Sequence, residues 1–426
     1  MEANRPFSTK RSSRTSIQSL DSDILCLIFA FLDWFDLARC SAVCTSWYNV
    51  IHKCNLWKKQ YYKQQRGSAC LPDISDFSET SWKMYYEGLA MEQHRLSLRD
   101  GSVCIDQWKG HSVGVHQCRM KMGLILTGGR DKVMRIWSSK SYKCLEEYSV
   151  PDVGHLVDFG FDENKIVGLV GTRVCIWRRH GERSIFPARE GTFSRGLCMR
   201  YIDPEAVVGC EDGTVRIFDM YSRQCSHIIR MRSGPVTCLA LTDNQMILSG
   251  SSLGSITMAG LSSDQRVASL KSTDCTGIKS LCFNPRSHLV FAGSTSGCSH
   301  CWDLRTMKPL WQTRVGPNVV YSMQHLQSDK TALVVGGIDG VLRILNQDTG
   351  QLLSSYVMNE ETGKSGSAEK RYGIIEKKRV RKLSEDIQID SIPKLSRPPI
   401  TCLAVGMKKV VTTHNGKLIR MWKFNK

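Results

Sequence analysis

The chain has 426 residues and a formal net charge of +18 at pH 7. Its apolar fraction of 41% and charged fraction of 23% are those of a globular protein, and they argue against a wholly disordered chain. No apolar run reaches the length of a membrane span, and the first residues lack the apolar segment of a secretory signal, so we expect a cytosolic or nuclear protein whose 18 cysteines stay reduced. The positive charge favours acidic or phosphorylated partners or nucleic acid through long-range attraction, and it carries no information about the fold.

The first residues predict a disordered arm followed by a small helical unit. Residues 1–19 mix basic and hydroxyl side chains without an apolar core. Asp21 is then placed to cap a first helix, and Asp36 to cap a second one that carries Leu37 through Ile51 along one side. So short a unit has little interior, and its surplus of Leu, Ile and Phe predicts a partner that covers it.

Residues 20–57 resemble an F-box. Phe31-Leu32-Asp33, Val43-Cys44 and Leu56-Trp57-Lys58 fall at that motif's spacings, and Asp21 stands where an F-box usually has Pro. F-box domains dock on the Skp adaptor of cullin-based ubiquitin ligases, so the resemblance implies an F-box domain at residues 20–60. It implies eight candidates for the adaptor contact or for the small core behind it: Leu20, Ile24, Leu25, Ile28, Leu32, Leu37, Val43 and Trp47. The alternative is an ordinary helical hairpin that packs on the rest of the chain.

Residues 61–100 are expected to form a linker. Residues 63–76 are polar and typical of a loop, and Ser78 or Thr80 can then cap an amphipathic helix. The apolar positions that recur at helical intervals are Trp82, Tyr85, Tyr86, Leu89 and Leu96. We expect this helix to space the F-box from the repeats that follow.

Residues 101–426 contain a repeat. Its first copy, ILTGGRDKVMRIW at residues 125–137, joins two β-rich runs through a turn and ends at Trp137. Later copies, at intervals of roughly 40 residues until the last, fill that final position with Trp177, Phe218, Ala259, Trp302, Leu345 and Trp422. This period is typical of the four-stranded blades of a β-propeller, and the copies predict seven blades.

The two ends of the repeat region are expected to pair. Residues 423–426, which follow Trp422, are too few to form the outermost strand of the last blade. Residues 102–108 (SVCIDQW) are strand-like and otherwise unassigned. Because sheets avoid unpaired edges, we expect this run to complete the last blade and close the ring.

The repeats resemble WD repeats. The first copy has Gly110-His111, Asp131 and Trp137 in the family's Gly-His, Asp and Trp places, and in that family the last three bind one another across the blade. The resemblance therefore makes His111, Asp131 and Trp137 structural. It implies a mainly β fold, a seven-bladed WD-repeat propeller preceded by a small all-α F-box domain and a helical linker.

The long last interval predicts an insertion at about residues 359–397. It is rich in charge, Ser and Gly, and we expect a disordered, solvated loop for most of its length. The basic residues 377–382 are also compatible with a nuclear-import signal or an anion-binding patch. The expected location is the nucleus, the cytoplasm or both.

Motifs of catalysis are absent from the sequence. It has no Gly-rich phosphate loop, no Gly-x-Ser-x-Gly elbow and no His-Glu-x-x-His helix. Cys298 and Cys301 have the spacing of half a zinc site, but strand alternation would separate their thiols. We therefore predict no catalytic residue, no metal and no cofactor.

The propeller face on which the blade links and central turns emerge is the expected binding surface. The candidate substrate-binding residues on that face are His116, Arg130, Lys279 and Tyr321. Arg130 resembles, by its place in the repeat, the arginines with which some F-box and WD-repeat receptors hold phosphorylated peptides.

The leading hypothesis is a non-catalytic substrate-recognition subunit of a Skp/cullin/F-box (SCF-type) E3 ubiquitin ligase. Its expected partners are the Skp adaptor and, through it, the cullin, together with a substrate protein that is acidic or phosphorylated. A membrane or nucleic acid is not the expected partner. The alternatives are a WD-repeat scaffold in a chromatin or RNA assembly that uses its basic surface, and a propeller enzyme.

Overall fold

The computed structural model describes residue 17 and residues 20–65, 79–150, 154–180, 185–187, 194–242, 245–261, 266–271, 276–327, 329–359, 375–384, 389, 392–394 and 397–425. Two compact units are present, Met1–Glu92 and Gln93–Lys426. The predicted arm, apart from Ile17, and residues 66–76 of the predicted loop lie outside the described residues. The loop prediction is wrong for residues 63–65, because they continue a helix that ends at Gln65. In the part of the chain described here, no helix is both long and apolar enough to cross a membrane.

The first unit is helical. Its helices are α1 (Ser22–Ala30), α2 (Trp34–Ser41), α3 (Thr45–Lys53), α4 (Leu56–Gln65) and the first part of α5 (Glu79–Asp100), which ends in the second unit. Side chains from all five helices form the core, and the Tyr86 hydroxyl donates to the Trp57 carbonyl at 2.9 Å. The core residues are Leu25, Phe29, Trp34, Leu37, Val50, Ile51, Leu56, Trp57, Tyr61, Tyr86 and Ala90.

The helix starts differ in part from the predictions. Asp21 caps α1 as predicted, accepting from the Ser22 amide at 2.8 Å. The prediction of Asp36 as the second cap is wrong, because Trp34 is buried and belongs to the first turn, so that Asp33 caps α2 and accepts from the Asp36 amide. The predicted second helix is in fact two helices, α2 and α3, separated by residues 42–44. This break lets Leu37 and Ile51 reach one core from different helices.

The linker helix is present as α5, starting at Glu79. Thr80 therefore lies inside the helix, whereas Ser78 and the side chain of Trp82 lie outside the described part. Tyr86 packs in the core of the first unit, and Leu98 packs in a core cluster of the second.

The second unit is a β-propeller of seven blades built from antiparallel strands. Blade 1 contains β2 (Val115–Lys121), β3 (Leu124–Gly129), β4 (Val133–Ser138) and β5 (Cys144–Ser149), and blade 2 contains β6 (Leu156–Phe161), β7 (Lys165–Val170), β8 (Arg173–Arg178) and β9 (Ile185–Pro187). Blade 3 contains β10 (Gly196–Ile202), β11 (Glu205–Cys210), β12 (Thr214–Asp219) and β13 (Gln224–Arg230), and blade 4 contains β14 (Val236–Leu241), β15 (Met246–Ser251), β16 (Ser255–Gly260) and β17 (Arg266–Lys271). Blade 5 contains β18 (Ile278–Asn284), β19 (Leu289–Ser294), β20 (Cys298–Asp303) and β21 (Lys308–Arg314), and blade 6 contains β22 (Ser322–Gln324), β23 (Ala332–Gly336), β24 (Leu342–Asn346) and β25 (Leu352–Asn359). Blade 7 contains β27 (Cys402–Gly406), β28 (Lys409–Thr413), β29 (Leu418–Asn425) and, from the start of the unit, β1 (Ser102–Lys109).

Strand β1 closes the ring as predicted. It pairs antiparallel with β29 from Ser102 opposite Asn425 to Lys109 opposite Leu418. Ile105 and Trp422 face each other in this ladder, and both side chains are buried in the same core cluster. The two ends of the propeller thereby satisfy each other's strand edges.

The insertion contains a strand, β26 (Glu376–Lys382), where the sequence predicted a solvated loop. It pairs with β25 on one edge and with β1 on the other, so blades 6 and 7 form one nine-stranded sheet. The loop prediction is wrong for these residues because Val380 packs against the core cluster of Tyr356 and Met358, and the main chain finds partners on both sides.

The repeat position that ends each copy lies in the core. Its seven residues are buried in clusters formed between neighbouring blades, including the substitutes Ala259 and Leu345. The position thus keeps its packing role even where the Trp is lost.

Candidate functional site

The eight candidates of the helical unit separate by exposure. Ile24, Ile28 and Val43 are exposed, whereas Leu25 and Leu37 are buried in the core. The remaining three are half-buried: Leu20, Leu32 and Trp47. The set therefore divides into surface residues and residues that support the surface from behind.

Two further apolar side chains are exposed beside this set. Leu27 is 65% exposed on α1, and Phe31, which ends that helix, is 86% exposed. With Ile24 and Ile28 they recur at helical spacing, and we call these four residues the α1 apolar face. The helical spacing in the sequence groups Leu27 and Phe31 with Ile24 and Ile28, but the resemblance to an F-box did not place them among the eight contact candidates. Because α1 is apolar on both sides, only the packing shows that this side is exposed.

The second candidate site is a cavity of about 360 Å³ in the propeller channel, which residues from the innermost strands of the blades line. It brings together all four candidate substrate-binding residues: His116, Arg130, Lys279 and Tyr321. Small polar side chains, among them Thr237, Ser280 and Ser322, complete the lining. The Thr237 and Ser280 hydroxyls already donate to the main-chain carbonyls of Ile278 and Val320. Ser322, by contrast, accepts from the Leu403 amide and keeps its proton to donate to a ligand.

His116 and Arg130 form a pair at this cavity. The Arg130 Nε–H donates to His116 Nε2 at 2.6 Å. Burial, reinforced by the Arg130 charge, lowers the pKa of His116 below its usual value, so the ring stays neutral and can accept this bond. The pair fixes the direction of the Arg130 side chain.

Sequence reasoning missed a second charged group in the cavity, Arg119, Asp158 and Arg200. Asp158 accepts from Arg119 Nη2 at 2.6 Å, and Arg200 Nη1 lies 3.4 Å from its other oxygen. Burial and the neighbouring Arg119 lower the pKa of Arg200. The two arginines occupy matching places in β2 and β10. In β2, Arg119 lies three residues beyond His116, the candidate that the sequence predicted for this strand. This offset is an odd number because a register shift between Val115 and Gln117 interrupts the ladder of β2, so strict alternation from His116 does not reach Arg119.

Positive charge exceeds negative charge around the cavity. Arg119, Arg130, Arg200 and Lys279 line it, and the carboxylate that lines it is Asp158, which already holds two of them. Since field lines are focused in a concave site, this arrangement favours an acidic or phosphorylated ligand.

The three residues expected to be structural meet in blade 1 through a fourth. The Nε1–H of Trp137 donates to the Thr127 hydroxyl at 2.8 Å, and that oxygen lies 2.8 Å from His111 Nε2. His111 Nδ1 lies 2.9 Å from Asp131. Burial opposes ionisation of Asp131, but hydrogen bonds from His111 and other donors outweigh it and hold the pKa of that carboxyl well below its usual range.

Comparisons with known proteins match both units. The F-box-like family model covers residues 17–63, and that of the WD domain, G-beta repeat, covers residues 102–138 and 264–303. The chain is 51% identical over 438 residues to an F-box/WD-40 repeat-containing protein of Arabidopsis thaliana, which covers 98% of this chain and 96% of that protein. It is 28% identical to the human angio-associated migratory cell protein over 55% of this chain and 57% of that protein. Identity to Cell division control protein 4 of Saccharomyces cerevisiae is 22%, over 55% of this chain and 26% of that protein.

Proposed function

This chain belongs to the F-box/WD-40 repeat proteins, and from that premise we propose that it is the substrate-recognition subunit of an SCF-type E3 ubiquitin ligase. Its F-box binds the Skp adaptor and, through the adaptor, the cullin, while its propeller binds the protein to be ubiquitinated. The chain itself is not catalytic. It contributes proximity, by raising the effective concentration of the target's lysines near the catalytic subunit.

The α1 apolar face carries this proposal. Exposed apolar residues at helical spacing form a contiguous patch, and such patches mark interaction sites. Covering a large apolar side chain is worth about 1.5 to 3 kcal/mol, so Leu27 and Phe31 alone supply a substantial part of an interface energy.

The adaptor contact is tested by Leu27→Asp in the full chain. Removing the apolar group and adding a charge should weaken Skp binding, measured by calorimetry with purified proteins, at least tenfold, as expected for a residue at the centre of an interface. Leu253→Asp is the matched control, because Leu253 is 66% exposed and lies on the propeller. Equal affinities of the two variants would contradict the proposal.

The channel cavity supports an acidic or phosphorylated segment of the target as its ligand. We expect Arg130→Gln combined with Lys279→Gln to lose captured target proteins while keeping the adaptor, in affinity enrichment after proteasome inhibition. Phosphatase treatment of the lysate distinguishes a phosphorylated segment from an acidic one. Unchanged capture by the double variant would rule out the cavity as the target site.

A further inference from the structure

Strand β26 holds a run of basic residues in a fixed place. Its main chain pairs with β25 through Tyr356 opposite Lys382 and with β1 through Cys104 opposite Arg379. The β1 ladder covers Glu376–Arg379 on one edge and the β25 ladder covers Arg379–Lys382 on the other, so each edge is already paired over four of the seven residues of β26. The side chains are what this strand offers to a ligand.

Alternation along β26 separates anchoring from exposed residues. Val380 packs against the core cluster of blades 6 and 7, and Lys378 lies 3.6 Å from Glu376 on the same side of the strand. Lys377, Arg379 and Arg381 are exposed on the other side. Alternate residues of a strand lie about 6.5 to 7 Å apart, so these three cations form an evenly spaced row.

The row continues onto blade 1. Lys377 lies opposite Asp106, which forms an ion pair with Lys423 and accepts from the Tyr142 hydroxyl at 3.0 Å. Tyr142 lies in the link between β4 and β5, and the same link exposes Lys140 and Lys143. We call Lys140, Lys143, Lys377, Arg379 and Arg381 the basic rim.

Three described carboxylates beside the basic rim are already held by other cations. Asp106 is engaged by Lys423, and Glu146 and Glu147 of β5 are paired with Arg179 and Arg135. The sequence between β25 and β26 adds no net charge, since its acidic residues equal its basic ones in number: Glu360, Glu361 and Glu369 against Lys364, Lys370 and Arg371.

We propose that the basic rim binds the sugar–phosphate backbone of nucleic acid without reading its sequence. A row of separate cations on a paired strand suits phosphates, which are contacted singly by Lys and Arg. Tyr142 is buried and so provides no platform for stacked bases. An acidic peptide that adds as a strand fits less well, because part of each edge of β26 is already paired, with β1 on one side and β25 on the other. The chain's net charge of +18 adds long-range attraction.

The test measures fluorescence anisotropy of labelled random-sequence duplexes of about 25 base pairs with the full-length protein between about 50 and 200 mM salt. With four or five phosphates contacted, log K against log salt should have a slope of about −4. Lys377→Gln combined with Arg381→Gln should weaken binding about tenfold or more and make the slope shallower by about 2. These side chains are exposed, so the pairing of β26 should persist.

Two further pairs of substitutions act as controls. Lys140→Gln with Lys143→Gln changes a different segment of the basic rim and should weaken binding in the same way. Arg130→Gln with Lys279→Gln removes the same charge from the channel and should leave binding unchanged. Absence of binding at about 50 mM salt, or equal loss in the channel variant, would overturn the proposal. Equally tight binding of polyglutamate would overturn it in favour of an acidic protein partner.

Discussion

At the scale of residues, two blades contain the same hydrogen-bonded unit. Thr127 links Trp137 to His111 in blade 1, and Thr412 links Trp422 to His414 in blade 7, at 2.9 and 2.7 Å. Resemblance to WD repeats pointed to His111 and Trp137. It did not point to the threonines or to His414. His414 lies in the turn after β28, whereas His111 precedes the first strand of its blade.

Thr127→Val should destabilise the propeller, because it keeps the shape and removes the group that pairs with Trp137 and His111. Leaving buried polar groups without a partner costs about 1 to 3 kcal/mol each, and thermal unfolding measures the loss. Thr306→Val, at an exposed threonine, is the control and should change little. Equal melting temperatures for the two variants would mean that the unit adds no stability.

His414 makes the stability of blade 7 depend on pH. Burial, together with the nearby Arg420 charge, holds its pKa well below the usual range, so the folded protein keeps the ring neutral. The unfolded chain binds a proton near pH 6.5, and the stabilisation is therefore complete above about pH 6.5 and declines as the pH falls below it. His414→Gln should flatten the fall of melting temperature between about pH 7 and 5. Parallel curves for the wild type and the variant would contradict this.

At the scale of elements, the errors have a common cause. Local patterns predicted the strands and turns of most blades, because within a blade each strand pairs with the strand next to it in sequence. Strand β26 escaped detection because its composition is basic and one of its partners, β1, lies far away in the chain. The composition of a segment shows whether water can solvate it. It does not show whether a strand elsewhere in the chain has an unpaired edge with which the segment can pair. Similarly, Asp33 became the cap of α2 through the burial of Trp34, which spacing alone does not show.

Val380→Asp should release β26 from the sheet. A carboxylate at this position faces the buried Tyr356 and Met358, and an unpaired charge there is costly. We expect hydrogen exchange of the β26 amides to accelerate at least tenfold, which corresponds to about 1.4 kcal/mol of local stability. Arg381→Asp, one residue further along on the exposed side, should have a smaller effect. Equal acceleration in both would show that Val380 does not anchor the strand.

At the scale of the whole molecule, the ring closure was predictable and the cavity charges were only partly so. Closure followed from the few residues after Trp422 and from the cost of an unpaired edge, an argument that needs no local pattern. The four predicted channel residues meet at one cavity because equivalent repeat positions lie around one axis. Arg119 and Arg200, by contrast, come from blades 1 and 3 and meet at Asp158 of blade 2. Their pairing depends on side-chain reach across blades.

Closure also makes the two ends of the propeller depend on each other, and Ile105→Ala tests this. Ile105 is buried against Trp422 and Phe424, so truncation should cost about 2 to 5 kcal/mol and lower the melting temperature. Ile228→Ala is the matched control, since Ile228 also lies on the outermost strand of a blade but is exposed. If the two ends unfold as one unit, hydrogen exchange in the Ile105→Ala variant should accelerate together in β1, β26 and β29, while the amides of blade 3 stay protected. Acceleration confined to β1 would show that the ring stays closed without it.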